Sequence, residues 1–230
     1  MHNKQRYRLH FYAQDGRSFA SGLNLYKLFW VFFIGCFLGV VLETAWFLLT
    51  RFQLVNRTGL IYGPFNLIYG FGAVLMTLSL SWLADKRDLW IFLGGGLVGG
   101  GYEYLCSWVQ EALFGTVSWE YSKMPFNLHG RINLLYSMFW GILALVWVKE
   151  LYPRMSDWIE RIPNRVGRPL TGILAVFMAV NMVMSAVTVM RWAGRTAELP
   201  PGNSFTQYID RHYPDDRMRR IYPSMEFVER

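Results

Sequence analysis

Apolar residues in this chain fall in long runs separated by short stretches rich in Gly, Pro, Asn and Arg. The first run, LYKLFWVFFIGCFLGVVLETAWFLLT (25–50), is long enough to cross about 30 Å of hydrocarbon at about 1.5 Å per residue. Further runs lie at about 60–84, 89–113, 131–150 and 170–190, each near the length a spanning helix needs. They are too long for barrel strands and do not alternate in polarity. The pattern predicts an all-α, polytopic membrane protein with about five transmembrane helices. The second run is the least regular, because IYGPFNLIYGFG places Gly63, Pro64, Gly70 and Gly72 in its first half. That span is expected to begin with a kinked or broken turn whose freed carbonyls need partners.

Three regions follow: a basic N-terminal tail (1–24), a transmembrane domain (25–192) and a polar C-terminal tail (193–230). The opening residues are polar and precede no short apolar core with a small-residue cleavage site, so they read as a tail, not a signal peptide. After the fourth run, LYPRMSDWIERIPNR spaces Leu151, Met155, Trp158, Ile159 and Ile162 as one face of a helix. That pattern predicts an amphipathic helix lying in the membrane interface.

Composition agrees with the membrane reading. The chain of 230 residues is 53% hydrophobic and 17% aromatic but only 17% charged, against about a quarter charged in ordinary soluble domains. Across the first four spans, Lys and Arg number twelve on the N-terminal side and four on the other. The positive-inside rule then puts the N-terminus in the cytoplasm and loops 51–59 and 114–130 outside. An odd span count places the tail outside as well. The net charge of +7 is explained by basic cytoplasmic segments facing anionic lipid headgroups, and no folded basic domain points to nucleic acid. Cys36 and Cys106 fall inside spans, with neither disulfide nor metal spacing. No cofactor and no metal are expected.

Chemistry enters with an internal repetition. Gly39-x-x-x-Glu43 matches Gly99-x-x-x-Glu103, Asn56-x-x-Gly59 matches Asn127-x-x-Gly130, and Asn66-Leu-Ile-Tyr69 matches Asn133-Leu-Leu-Tyr136. The order is kept while the spacing changes, from 13 residues between Glu43 and Asn56 to 24 between Glu103 and Asn127. Spans one-two and three-four thus read as duplicated hairpins, and repeat interfaces are where transporters commonly build substrate sites. Glu43 and Glu103 sit below the outer ends of their spans. A carboxylate at such depth costs about 2.5–3.5 kcal/mol on insertion scales, so it must face the bundle interior and find donors or a cation. Arg131 is expected to turn toward Glu103 and Arg57 toward Glu43. The structural alternative is ion-pair glue between helices, or Arg side chains that snorkel outward. The candidate substrate-binding residues are Glu43, Asn56, Arg57, Tyr62, Glu103, Trp119, Tyr121, Asn127, His129, Arg131 and Asn133.

The strings VNRTGLIYGPFNLIYGFG and EYLCSWVQEALFGTVSWEYSKMPFNLHGRINLLYSMFWG resemble the bacterial family of ABC-transporter type IV, permease-like membrane proteins. The resemblance covers about 25–150. It rests on Glu43, on Asn56, Arg57 and Gly59, on Tyr62–Phe65, on Trp119, Tyr121 and Ser122, and on Phe126–Ile132. It implies a transport component of the bacterial cytoplasmic membrane and a separate ATPase subunit as partner. No Walker A loop is present, and GGGLVGGG (94–101) lacks the strand and the Lys of a phosphate loop. Its glycines suit close helix packing.

Three readings stay open: a permease-like component with a polar site in the outer half of the bundle, a membrane enzyme acting on a lipid-linked substrate at the outer leaflet, or a non-catalytic regulatory or assembly partner. Whether the chain is an enzyme is left undecided, with no catalytic triad or metal motif favouring it. Membrane lipids are expected partners, and five spans make a thin wall for a pathway, so self-association or a partner membrane chain is expected.

Overall fold

A computed structural model of the chain describes residues 18–227, and about 70% of the protein is helical. Asn24 caps α1 (Leu25–Arg51), its side chain accepting from Lys27 N at 2.9 Å. The helix stops at Phe52, which takes a left-handed conformation with φ of 52°. The second apolar run becomes helical only at Leu67, as α2 (Leu67–Leu80), because Gly63 turns the chain at φ +77° and Asn66 caps the helix from outside. Asn66 N donates to the Cys36 carbonyl at 3.0 Å, so the broken turn before α2 is tied to α1. A 3₁₀ turn, Ser81–Leu83, leads to α3 (Asp88–Phe114), which ends at Gly115 with φ of 63°.

The loop after α3 holds three short strands: β1 (Thr116–Val117), β2 (Asn127–Leu128) and β3 (Ile132–Asn133), with β2 and β3 antiparallel. The fourth run therefore starts its helix at Leu134, later than its apolar pattern suggests. This helix, α4 (Leu134–Val146), widens into a five-residue π segment, Trp147–Leu151, and continues as α5 (Tyr152–Glu160). Pro153 lacks the N–H that an α-helix would donate one turn back, which accounts for the wider turn at this position. The last long helix, α6 (Asn164–Thr196), spans 33 residues. The tail is folded: α7 (Ser204–His212), α8 (Asp215–Ile221) and β4 (Glu226–Phe227), which pairs antiparallel with β1.

Glycine sets how closely the helices pair. Gly35 and Gly39 of α1 face Ala73 and Tyr69 of α2, and Gly95 and Gly99 of α3 face Ala144 and Trp140 of α4. A Cβ on Gly39 would lie 2.1 Å from Tyr69 Cγ, and one on Gly99 would lie 2.5 Å from Trp140 Cγ. Both hairpins thus use the small-residue approach of membrane helices, in which packing replaces the hydrophobic drive.

At the opposite end from the loops, Trp30, Val31, Leu83, Trp147, Tyr152, Met155 and Ile159 form the main core. Lys27 is fully buried there, donating to Ser156 Oγ and to Glu160. The amphipathic helix α5 is therefore docked on the bundle by Met155 and Ile159, and only Trp158 of its apolar set is largely exposed, at 66%. The amphipathic helix thus packs on the bundle, where it brings the partners that a buried ammonium needs.

Among the described residues, three helices are long and apolar enough to cross a membrane: Leu25–Arg51, Leu134–Glu160 and Asn164–Thr196. Leu67–Leu83 is a shorter apolar helix, and the glycines and Glu103 of α3 lower that helix's hydropathy. Large apolar side chains such as Trp46, Leu49, Leu97, Ile173 and Val183 stand exposed along the helices. Such a surface is stable in lipid and aggregates in water. This is a helical membrane protein.

Candidate functional site

The two acidic residues of the hairpins meet in one cavity of about 570 Å³. Its walls come from the loop before α2, the first turns of α2, the middle of α3, α6 and the tail residues Tyr222–Met225. Glu43, Asn56, Arg57, Glu103, Trp119 and Tyr121 all line it. The remaining sequence candidates, Tyr62, Asn127, His129, Arg131 and Asn133, do not.

Glu43 is ion-paired. Arg57 Nε donates to Glu43 Oε1 at 2.6 Å, a second donor, Nη2, reaches the same oxygen, and the Tyr69 hydroxyl donates to Oε2 at 2.9 Å. The guanidinium also lies 4.5 Å from the Phe47 ring centroid and donates to Ser224 Oγ of the tail. Asn66, the cap of α2, donates to the Arg57 carbonyl at 3.2 Å, holding that residue's backbone while Gly59 takes the Phe65 carbonyl at 2.9 Å.

Glu103 is different. It is only 8% exposed, and its carboxylate accepts from the Tyr121 hydroxyl at 2.9 Å and from Trp140 Nε1 at 3.0 Å. Both donors are neutral. The expected pair with Arg131 does not form: Arg131 donates to Glu111 and, at 3.1 Å, to Ser107 Oγ. Its carbonyl accepts from Trp119 Nε1 at 3.0 Å. Four residues, one helical turn, separate Ser107 from Glu103 and Glu111 from Ser107, so a guanidinium entering from the loop meets the outer pair first. Among the described residues, no Lys or Arg forms an ion pair with Glu103.

The hairpins match in a second way. Gly39 packs under Tyr69, which donates to Glu43, and Gly99 packs under Trp140, which donates to Glu103. Tyr69 lies three residues after its cap Asn66, whereas Trp140 lies seven after its cap Asn133. The second hairpin is thus offset by about one helical turn, and Tyr136, the sequence counterpart of Tyr69, stacks on Tyr121 at 4.8 Å instead.

The other candidates build the loops. Asn127 donates to the carbonyls of Ser122 and Met124 and accepts from Gly130 N at 3.0 Å. His129, at a positive φ of 53°, meets the Tyr104 hydroxyl at 2.9 Å through Nδ1 on the exposed side. Asn133 is buried, caps α4 and donates to the Pro125 carbonyl at 2.6 Å. The Tyr62 hydroxyl bonds that of Tyr213 at 2.7 Å, and Asn181 of α6 clasps the Tyr62 backbone through N at 3.1 Å and O at 2.7 Å.

The tail covers the loop-side mouth. Asn56 donates to the carbonyls of Arg220 and Ile221, Phe227 packs edge-on against Trp192 at 4.9 Å, and Asp210 and Asp215 hold Arg191 and Arg195. The two guanidiniums, that of Arg191 foremost, keep the Asp210 carboxyl below the usual aspartate range. Burial pushes the Tyr222 phenol up to about 12. Burial, reinforced by the Glu103 charge, also raises Tyr121 above the ordinary phenol value. The Tyr222 hydroxyl lines the cavity wall near Ser185 without a hydrogen bond of ordinary geometry. Ser185 Oγ already accepts from Ile61 N at 3.0 Å and donates to Asn181 at 3.4 Å.

The structure is that of a helical membrane protein with a carboxylate-bearing cavity between two glycine-packed hairpins. The chain belongs to the family described as "Putative ABC-transporter type IV", whose profile matches residues 30–186. The match ends within α6, so the covering tail lies beyond it. No curated protein and no solved structure matches the chain.

Tyr69, Tyr102, Trp140 and the tail complete the cavity without having been singled out as site residues. For Tyr69 and Trp140 the signal was the glycine facing each, since a missing Cβ marks where a large partner lies close. The tail gave none, because its docking depends on Asn56, Arg57 and β1, which lie far away in sequence.

Proposed function

We propose that this protein is a permease-like transport component whose solute site is the cavity between the two hairpins. The observation that carries the reading is Glu103, a carboxylate held among the described residues by the neutral donors Tyr121 and Trp140, in a cavity large enough for a small solute. A carboxylate retained without a cation partner at membrane depth is costly and points to function; structural glue would carry its counter-ion, as Glu43 does. In this reading Glu103, Tyr121, Trp119 and Trp140 contact solute, while Glu43, Arg57, Asn56 and Tyr69 tie the loop and tail that close the mouth.

Five membrane crossings fit this arrangement, with α2 and α3 as the two beyond the long apolar helices. The two hairpins are a duplicated unit, supported by their shared glycine-to-aromatic-to-carboxylate contacts. The Lys and Arg distribution favours a cytoplasmic N-terminus in a bacterial inner membrane, with loops and tail on the outer face. A separate ATPase subunit would supply energy, and a second copy or a partner membrane chain would complete the wall around the pathway.

Counterflow in proteoliposomes tests this. Vesicles holding the protein are preloaded with a solute mixture, and exchange is followed by mass spectrometry for wild type and Glu103→Gln. Exchange that needs the protein and is lost in the variant supports the proposal. Chemical conversion of a lipid-linked compound without exchange would favour the enzyme reading, and neither result would favour the regulatory or assembly partner.

A further inference from the structure

The charged side chains lining the cavity are two carboxylates and one guanidinium: Glu43, Glu103 and Arg57. Arg57 is consumed by Glu43 and by Ser224 of the tail. Arg131 of the second hairpin is held by Glu111 and does not line the cavity. With Glu103 ionised, the cavity therefore carries one uncompensated negative charge. Around that charge stand aromatic side chains. Tyr121 and Trp140 hold the carboxylate oxygens, and Trp119, Tyr69 and Tyr102 line the same space. Rings beside a buried carboxylate favour cations, because the faces of the π systems are electron-rich. The rest of the lining is mostly aliphatic, as at Leu105, Val109, Met182 and Val189. Tyr222, a buried residue of the lining whose hydroxyl lies near Ser185, offers a further polar contact.

We infer that the cavity takes a compact apolar molecule bearing a single positive charge, an amine or quaternary ammonium, seated with its charged head at Glu103. This rests on the reading of the cavity as the solute site and names the class of solute. An anionic solute would meet two carboxylates and a guanidinium whose charge is already paired with Glu43. A neutral one would leave Glu103 without a charge partner, so that its carboxylate would have to take up a proton to stay buried.

The full chain in non-ionic detergent is titrated by calorimetry with three probes sharing one ring: benzyltrimethylammonium, benzyl alcohol and benzoate. The expected result is saturable binding of the cation, about tenfold or more tighter than either other probe, on the scale of one desolvated cation–π or charge contact. Glu103→Gln is expected to weaken it by about tenfold or more, and Glu150→Gln, on the exposed opposite end, to leave it unchanged. If Glu103→Gln fails to fold, the ranking of the three probes on wild type decides alone. Benzyl alcohol or benzoate binding as tightly as the cation would overturn the inference while leaving the cavity as a solute site. Absence of binding by all three also overturns it; the counterflow result then shows whether the transport reading falls with it.

Discussion

Replacing Arg57 by Ala should unfold the loop end of the first hairpin. The substitution removes two donors to Glu43 Oε1, the link to Ser224 and the guanidinium stacked at 4.5 Å on Phe47. Glu43 is left with the Tyr69 hydroxyl alone. Breaking a fully buried pair costs about 3–5 kcal/mol, whereas an exposed pair contributes about 0–1. The Arg57 and Glu43 side chains are 17% and 15% exposed, which puts this pair at about 2–3 kcal/mol. The lost ring contact adds about 0.5. A total of about 3 kcal/mol is about a hundredfold in the folded-to-unfolded ratio. Adding Glu43→Gln removes the orphaned charge and should restore about half of the loss, a coupling of at least about 1.5 kcal/mol once the cost of Glu43→Gln alone is included. Unfolding by sodium dodecyl sulfate in mixed micelles, followed by tryptophan fluorescence, measures all three variants. A single-variant loss below about 1 kcal/mol, or a double variant that is strictly additive, would refute the argument that this ion pair anchors the hairpin.

Gly39→Ala and Gly99→Ala should each cost about 1–3 kcal/mol by pushing Tyr69 or Trp140 away, while Gly101→Ala, with nothing within 4 Å, should be neutral or gain up to about 1 kcal/mol from helix propensity; the same unfolding assay ranks them. A cysteine pair at Val117 and Glu226, opposed in the β1–β4 ladder, should oxidise readily and slow solute exchange until reduced. Failure to crosslink would contradict the docked tail. Because Asp210 titrates below its ordinary value, its contribution to tail docking is complete above about pH 4 and is lost as the pH falls through the lower folded-state value. Limited proteolysis of the tail should therefore stay slow at about pH 5 and accelerate once the pH falls below the ordinary aspartate value, whereas Asp210→Asn should be cut quickly at neutral pH. At the alkaline end, Tyr213 and Tyr222, both pushed up to about 12, hold protons that the unfolded chain releases near 10, so stability should fall as the pH rises between those values.

The long apolar runs made the helices legible, since few other structures accept more than twenty such residues. Helix starts were less legible, and the reason is local. Asn66 and Asn133 cap their helices from extended backbone, so the apolar residues Leu60, Ile61 and Ile132 before them lie in turns and strands despite belonging to the same run. The pairing of Arg57 with Glu43 was readable from a loop cation facing a buried acid in the same hairpin. The same reasoning misplaced Arg131, because Glu111 lies two turns further out on α3 and intercepts it. Asn127 and His129 carry a distinctive motif, and what the motif specifies is a turn: a side-chain clasp over Ser122–Met124 and two residues at positive φ, His129 and Gly130. The folded tail was hidden for another reason. Its helices are short and polar, and their burial comes from distant partners that no local pattern records.

The most direct test of the central claim is native mass spectrometry of the protein purified in mild detergent, comparing wild type with Glu103→Gln. A small-molecule adduct is expected on wild type and absent from the variant, while the variant keeps its fold. An adduct retained by Glu103→Gln, or none on wild type, would contradict the claim that the cavity between the hairpins binds solute through this carboxylate.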